Sequence, residues 1–454
     1  MRTDSTPSSE EDGASPARTG DSEQTSSIRQ TSRRNNSRAR SATLPPSNTQ
    51  TRGWRQTFSS LNNRAYLFLW LGMMAMMGGM QMQMLARGYL VYDITGSASL
   101  LGFVSAGMAI PMLFLAPFGG VIADRVERKR LIQGGQFIVA IFALIIGAAI
   151  FTDRIEWYHL LIVSILQGTV WTFMMPARQA IIPQIVGPER IGNAMALNAA
   201  GMSAMTLIAP AVAGGLYAWA GPANVYFIIS GLSILSVAVT TLVPKPEGSA
   251  APSQKRNMFA DIGAGLMYIK GNSMVLVLLV MGLATTLLAS PFRMLLPVFV
   301  VDIYHRGPDS MGLLVAIMGG GSLVGSLAIA ALGDWRRGML LIVGSFISGA
   351  ALLLIAAFPL YYAGAIIMVL VGLGDAGRRT INMGLIMEVV EDQYRGRVMS
   401  VFMMNFGLMP LGVLPAGMIA DALGGQEAIA ILGALLILVT LVVLVTQKGL
   451  RSFQ

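Results

Sequence analysis

The sequence predicts an all-α membrane protein with twelve transmembrane helices in two pseudo-symmetric six-helix halves. Three observations predict this fold class. Of the 454 residues, 54% are hydrophobic and 12% are charged, whereas an average soluble domain carries about 25% charge. The apolar residues form twelve long stretches, and the last six stretches resemble the first six in sequence.

Each apolar stretch is long enough to cross a membrane. A spanning helix needs about 20 apolar residues for a hydrocarbon core of about 30 Å. The stretches are residues 65–93, 98–123, 131–151, 157–181, 191–219, 222–243, 273–301, 310–333, 339–358, 361–385, 396–422 and 426–446. We expect one spanning helix in each stretch.

Polar segments divide the chain into five parts. Residues 1–60 are rich in Ser, Thr, Arg, Asn and Pro, which predicts a disordered basic tail. A linker at 244–272 separates a first half at 61–243 from a second half at 273–446, and a short tail follows at 447–454. The first tail lacks the apolar region of a signal peptide and the aromatic residues of an RNA-binding arm. Contact with anionic lipid is the interpretation that its bases favour, and no nucleic-acid partner is expected.

Bases collect on alternate connecting segments. One set of segments carries Arg128, Lys129, Arg178, Arg190 and Arg397 among others, whereas the other set reads YDITGS, TDRIEW, AGPAN, DIYHRGPDS, FPLYY and GGQE. Because bases are retained on the cytoplasmic side of a membrane, we expect a multi-pass protein of the cell membrane with both termini in the cytoplasm.

The two halves repeat each other at an offset of roughly 204 to 210 residues. ARGYLVYDITGSASLLG is echoed by FRMLLPVFVVDIYHRGPDSMGLL, VIADRVERKR by ALGDWRRG, and ERIGNAMALNAAG by QYRGRVMSVFMMNFG. Parallel repeats with a site at their interface are typical of alternating-access carriers. A duplicated bundle that does not transport, such as a membrane sensor, would show the same repeat.

The segment GGVIADRVERKRLI places dense charge between two apolar stretches. It resembles the loop motif of the major facilitator superfamily through Gly120, Asp124, Arg125, Arg128 and Lys129. Glu127 replaces the second glycine of that motif. This replacement, together with PARQAIIPQIVGPERIGNAMALN and DIGAGLMYIKGN, is similar to the branch of enterobactin exporters and macrolide-type drug:proton antiporters. The resemblance covers most of residues 65–446 and implies the major facilitator fold.

The resemblance also implies a conformational latch at the cytoplasmic ends of the helices. A carboxylate near a helix N-terminus contributes about 0.3–2 kcal/mol. Asp124 would meet the helix that begins beside Arg395 and Arg397, and Asp334 would meet the helix beside Arg190. The second-half copy of the motif ends in Arg336 and Arg337. A solvated charged loop is the structural alternative.

A further stretch, MSAMTLIAPAVAGGL, resembles the antiporter motif of exporters in this superfamily. Pro210, Gly214 and Gly215 carry the resemblance, whereas Ala209 and Ala213 stand where the motif usually has glycine. The stretch favours export, although small residues at this spacing also serve close helix packing.

Charges inside the spans indicate a substrate pathway. A charge at the bilayer centre costs about 2.5–3.5 kcal/mol or more and requires a partner or a wet cavity. Arg87 and Arg293 occupy equivalent places in the two halves, where they could bind an anion with help from Gln81 and Gln83. Pairing with a nearby acid, or snorkelling to the membrane surface, is the alternative.

Asp375 is the deepest acid in the chain. Arg378 and Arg379 follow three and four residues later on the same helix face. This spacing fits a structural ion pair and also a proton-coupling acid.

The sequence gives no support for an enzyme or a cofactor. The chain has no cysteine, and its two histidines, His159 and His305, lie beside predicted loops. No phosphate-binding Gly-Lys loop or nucleophile triad is present. We predict a monomeric, proton-coupled exporter of a small amphipathic molecule, anionic and siderophore- or drug-like, which acts by alternating access among membrane lipids. An importer or lipid flippase of the same fold and a non-transporting sensor are the alternatives.

Overall fold

The computed structural model describes residues 59–115, 126–187, 190–244, 258–332 and 336–447. All regular elements within these ranges are helical. In chain order they are α1 (Arg64–Thr95), α2 (Ala98–Leu115), α3 (Arg128–Phe151), α4 (Trp157–Val186), α5 (Ile191–Ala220), α6 (Pro222–Thr241), α7 (Met258–Gly271), α8 (Ser273–Ile303), α9 (Pro308–Leu332), α10 (Arg337–Ala357), α11 (Tyr361–Val389), α12 (Asp392–Gly407), α13 (Pro410–Leu423) and α14 (Gly425–Thr446).

Each of the twelve apolar stretches coincides with a described helix or helix pair. Ten described helices are long and apolar enough to cross a membrane. The remaining two stretches correspond to α11, which carries charges in its middle, and to the α12–α13 pair, which is interrupted at residues 408–409. Residues 116–123 of the second stretch lie outside the described residues, and α7 falls within the segment predicted as a linker.

Arg178 was counted among the loop bases in the topology prediction, and this placement was wrong. Helix α4 continues to Val186, so Arg178 lies inside the helix and its residue is only 4% exposed. Its guanidinium lies 3.8 Å from the Met76 sulfur and 5.9 Å from the centre of the Trp171 ring. The helix therefore ends five residues beyond the predicted stretch 157–181, and Arg178 lies three turns or less from its end, packed against α1.

The first two helices show how local sequence sets the boundaries. The Asn63 side chain accepts the backbone N–H of Ala65 at 3.0 Å and begins α1. Gly96 ends α1 in the left-handed region, with φ of 60°, a conformation that glycine adopts at little cost. The Ser97 side chain then accepts the N–H of Leu100 at 3.2 Å and begins α2.

The buried side chains form three cores. The largest core contains residues of α1–α6, of α8–α11 and of α13 and α14, and it lies at the end of the bundle where α1 ends and α2 begins. We call this the joined end. At the opposite end, one core draws only on residues 66–243 and a third only on residues 269–443. We call this the split end, and it is where α1 and α3 begin.

Candidate functional site

A cavity lies between helices of the first half of the chain (α1–α6) and helices of the second half (α8–α14). Its lining side chains come from α1, α2, α5, α8 and α9. Arg87 and Arg293 both line it, and none of its lining residues is an acid. Other lining residues include Gln81, Ser105, Met84, Met294 and Met311. The two arginines singled out from the sequence are thus brought to one cavity that is basic on its polar side and apolar elsewhere.

Arg87 is held from α4 by neutral oxygen atoms. One of its terminal nitrogens donates to Ser164 Oγ at 3.2 Å and to Gln167 Oε1 at 3.4 Å. Gln167 Nε2 donates in turn to Gln83 Oε1 at 2.6 Å. Gln83 is 3% exposed and contacts Gln167 and not the cavity, and its place in the substrate pathway stays a prediction.

The partners of Arg87 on α4 were not predicted from the sequence. Ser164 and Gln167 are fully or almost fully buried, at 0% and 3% exposure. They lie three residues apart in an apolar helix, on one face of α4. A serine and a glutamine three residues apart inside an apolar span are the sequence signal that could have identified these partners.

The charges of α11 form a local ion pair. Arg378 Nη2 lies 2.5 Å from Asp375 Oδ1, and the Arg378 side chain is 6% exposed. Neither residue lines the cavity of Arg87 and Arg293, and Arg379 belongs to the same helix. The geometry fits the structural alternative, and it leaves proton coupling by Asp375 as a prediction.

Two buried amides on neighbouring helices extend this polar region. Asn382 on α11 and Asn405 on α12 are 3% and 8% exposed. Asn382 Oδ1 and Asn405 Nδ2 have no hydrogen-bond partner among the residues that the structure describes. Gly282 on α8 leaves room for both amides, since a Cβ there would lie 2.7 Å from Asn382 Nδ2.

Polar contacts at the joined end connect α1 and α2 of the first half with α8 and α13 of the second half. The Asp421 carboxylate of α13 accepts the Ser97 hydroxyl at 2.8 Å and the backbone N–H groups of Ala98 at 2.7 Å and Ser99 at 2.9 Å. These groups are the unpaired donors at the start of α2. The Tyr92 hydroxyl of α1 donates to the Asp302 carboxylate of α8. Sequence reasoning missed both contacts, because their partners lie more than 200 residues apart.

The family model described as transmembrane secretion effectors, a group within the major facilitator superfamily, matches residues 55–452. The chain belongs to this family. It is therefore a multi-pass membrane transporter and not an enzyme, and the resemblance to the major facilitator superfamily is confirmed.

Three curated relatives match most of the chain. Macrolide efflux protein A of Streptococcus pyogenes is 24% identical over 353 residues, which cover 77% of this chain and 87% of the relative. The staphyloferrin A transporter of Staphylococcus aureus is 24% identical over 368 residues, with coverages of 78% and 89%. The multidrug efflux pump Tap of Mycobacterium bovis is 26% identical over 407 residues, with coverages of 86% and 94%.

Solved structures share the fold of this major facilitator protein. A mutant of the nucleoside transporter NupG gives a TM-score of 0.74 at 13% identity and covers 85% of this chain and 100% of its own. An inward-facing, occupied bacterial homologue of the human lysosomal transporter Spinster gives 0.68 at 14% identity, with coverages of 86% and 98%. The predicted all-α membrane fold is confirmed.

The loop motif of the superfamily is only partly described in this chain. Gly120, Asp124, Arg125 and Asp334 lie outside the described residues. Lys129 Nζ donates to the carbonyl oxygens of Thr241 at 2.9 Å and Val243 at 2.5 Å, and Arg128 donates to Ala180 O at 3.3 Å. The described bases of the motif therefore connect the start of α3 to the ends of α4 and α6.

The bases of the expected latch partners lie at the same split end. Arg337 pairs with Glu388 at 3.2 Å, and Arg395 Nε donates to Met387 O at 2.9 Å. Arg397 lies 5.5 Å over the ring of Tyr394, which stacks on Tyr268 of α7 at 4.3 Å. The N-terminal capping positions of α5 and α10 are occupied by Arg190 and Arg336. The latch contacts of Asp124 and Asp334 stay predictions.

The antiporter-like motif lies where α5 meets α9. A Cβ at Gly214 would lie 2.4 Å from Pro308 O, and a Cβ at Gly312 would lie 2.5 Å from Pro210 O. No atom would lie within 4 Å of a Cβ at Gly215. Pro210 and Gly214 thus let the two helices approach at backbone distance, whereas Gly215 takes no part in the contact.

The described part of the chain contains no group of three His, Cys, Asp or Glu side chains that could hold a metal ion. His159 Nδ1 accepts the backbone N–H of Glu156 at 3.1 Å as part of the cap that begins α4. His305 has a φ of 49° in the connection between α8 and α9. His159 thus lies in the first turn of α4, and His305 lies in the connection between two helices.

Proposed function

We propose that this protein is a proton-coupled exporter of small amphipathic anions. The observation that carries the proposal is the cavity lined by Arg87 and Arg293 without a lining acid. A basic cleft of low dielectric attracts anions and repels cations. The methionine side chains around it suit an apolar body of irregular shape.

Export is the direction that the relatives favour. Two of them are named as efflux proteins, for macrolides and for multiple drugs, and a third is named as a transporter of the siderophore staphyloferrin A. The described antiporter-like motif at Pro210 and Gly214 is a second argument for export.

Alternating access is the mechanism that we propose. Residues 61–243 and 273–446 would move as two bodies connected by the linker at 244–272. The shared core at the joined end and the separate cores at the split end support this division, since a bundle of this kind can open at either end by rocking. The bases at the split end favour its placement in the cytoplasm, with both termini on that side.

Coupling to protons is proposed through Asp375. Its pairing with Arg378 supports a cycle in which substrate-induced movement of α11 separates the pair and allows protonation. Lipids surround the helices, and a monomer is sufficient for this cycle.

The test uses everted membrane vesicles with an acidic lumen. We expect uptake of anilinonaphthalene sulfonate to depend on the proton gradient and to fall about tenfold in Arg87→Gln and Arg293→Gln, because each variant removes a charge-assisted contact. Uptake of neutral N-phenylnaphthylamine, which has the same rings without the sulfonate, should change less than about twofold. Arg154→Gln, an exposed arginine outside the cavity, is the matched control.

Other outcomes identify the alternatives. Movement of the dye out of everted vesicles would indicate an importer, movement of labelled phospholipid alone a flippase, and no movement of any solute a sensor. Normal anion uptake in both arginine variants, with loss of ethidium efflux in Asp375→Asn, would replace the anion proposal by a cation pump.

A further inference from the structure

The support of Arg87 from α4 has a consequence for what the cavity selects. All described hydrogen bonds of the Arg87 guanidinium go to uncharged oxygens, those of Ser164 and Gln167. No described carboxylate pairs with it. A neutral acceptor fixes the position of a guanidinium and leaves its charge in place, whereas a carboxylate at the same distance would neutralise it.

Gln167 is itself fixed in the orientation that this support requires. An amide side chain offers an oxygen that accepts and an NH₂ group that donates. Because the NH₂ group of Gln167 donates to Gln83 Oε1 at 2.6 Å, the oxygen of Gln167 is left to accept from Arg87. Both glutamines are 3% exposed, so water does not compete for these bonds.

We infer that Gln167 determines the charge selectivity of the cavity, with Gln83 as the residue that orients it. Gln167 does not line the cavity and acts through Arg87 as a positioning residue. This inference rests on the proposed anion site and adds the residue that keeps the site positive.

The main test replaces the amide oxygen by a charged one of nearly equal size. Gln167→Glu places a carboxylate beside the Arg87 guanidinium, and we expect the ratio of sulfonate to neutral-dye uptake to fall at least about tenfold. The dyes are anilinonaphthalene sulfonate and N-phenylnaphthylamine, measured on the full chain in everted vesicles. A variant that only damaged folding would reduce both dyes equally, so the ratio separates selectivity from structure.

A second variant tests the positioning role without adding charge. Gln167→Met has similar volume and no acceptor oxygen, so we expect the KM for the sulfonate to rise several-fold while the maximal rate for the neutral dye stays the same. In an Arg87→Gln background the same change should have no further effect on the sulfonate, because its action passes through Arg87.

The outcomes separate this inference from the proposed function. If Arg87→Gln reduces sulfonate uptake and Gln167→Glu leaves the dye ratio unchanged, the role of Gln167 is wrong and the anion site stands. If Arg87→Gln has no effect, or the unmodified protein neither binds nor moves the sulfonate, the anion site is wrong and the inference with it. An additional loss from Gln167→Met in the Arg87→Gln background would also contradict the inference.

Discussion

Three described charged residues, Arg87, Lys129 and Asp421, bind backbone groups and neutral side chains. Lys129 binds carbonyl oxygens beyond the end of α6, and Asp421 binds N–H groups at the start of α2. Both satisfy helix-end groups that have no partner within their own helix. Arg87 follows the same principle with Ser164 and Gln167 as its partners. Charges held in this way need no second charge inside the membrane.

Lys129 should contribute to stability more than to transport. We expect Lys129→Met to lower the free energy of unfolding by about 1–2 kcal/mol, because it removes two charge-assisted hydrogen bonds to Thr241 and Val243. Chemical denaturation of the purified protein in detergent measures this change. Arg130→Gln is the control, since the exposed side chain of Arg130 forms a surface ion pair with Glu127, three residues earlier, and such pairs contribute little to stability. Equal effects of the two variants would contradict the capping role.

Asp421 should hold the joined end closed. Asp421→Asn removes the charge that three donors share, and we expect the joined end to open roughly fivefold more often, which corresponds to about 1 kcal/mol. The chain has no cysteine, so Ser105→Cys gives a unique label inside the cavity. The rate of labelling by a membrane-impermeant maleimide from the joined-end side measures the opening.

Glu427→Gln provides the matched control for Asp421. Glu427 lines the same surface pocket as Asp421, and none of its described contacts crosses to α2. The rate of maleimide labelling at Ser105→Cys should be the same in the Glu427→Gln variant as in the protein with Glu427. An unchanged rate in Asp421→Asn would show that other contacts hold this end closed.

Among the helices, close backbone approach determines which pairs form the joined end. Gly214 brings α5 against α9, and Gly417 brings α13 against α2, where a Cβ would lie 2.4 Å from Ala98 O. The two glycines are 203 residues apart, close to the offset of the sequence repeat. The same contact is therefore made twice, once on each side of the cavity.

Gly214→Ala should separate α5 from α9. The new methyl group would overlap Pro308 O, so we expect a cost of about 1–3 kcal/mol to the closed joined end and at least a fivefold lower efflux rate per inserted molecule. Gly215→Ala is the control, because no atom lies within 4 Å of its Cβ position, and it should keep the normal rate. Dye efflux, normalised to the amount of this transporter in the membrane, measures the effect of each variant. Equal loss in both variants would indicate a general effect of the methyl group on α5.

For the molecule as a whole, the sequence was sufficient to predict the fold and to single out the two arginines that line one cavity. Apolar length located the helices, and the repeat located Arg87 and Arg293, because both signals depend on properties of single segments. Asp421 and Gln167 were not identified from the sequence, since their significance depends on partners from distant segments. Arg178 was misplaced because tertiary packing against Met76, and not apolar length, accounts for its burial in α4.

Removal of residues 1–55 should leave transport intact. The deletion takes away no described helix and no lining residue of the cavity, and it removes none of the twelve apolar stretches of the sequence. We expect turnover per inserted molecule to stay within about twofold of the full chain, measured as dye efflux against surface-labelled protein. Normal insertion with loss of efflux would assign the tail a role in gating.

The ion pair between Asp375 and Arg378 also affects how the protein is made. Both residues belong to α11, three positions apart, so the pair can form as soon as that helix forms. A nascent segment with an internal pair enters the bilayer through the translocon at a lower cost than one with two separate charges. Replacement of Asp375 alone would remove this partner of Arg378 within the inserting helix. We therefore expect insertion of α11 to tolerate replacement of both residues by neutral ones better than replacement of Asp375 alone.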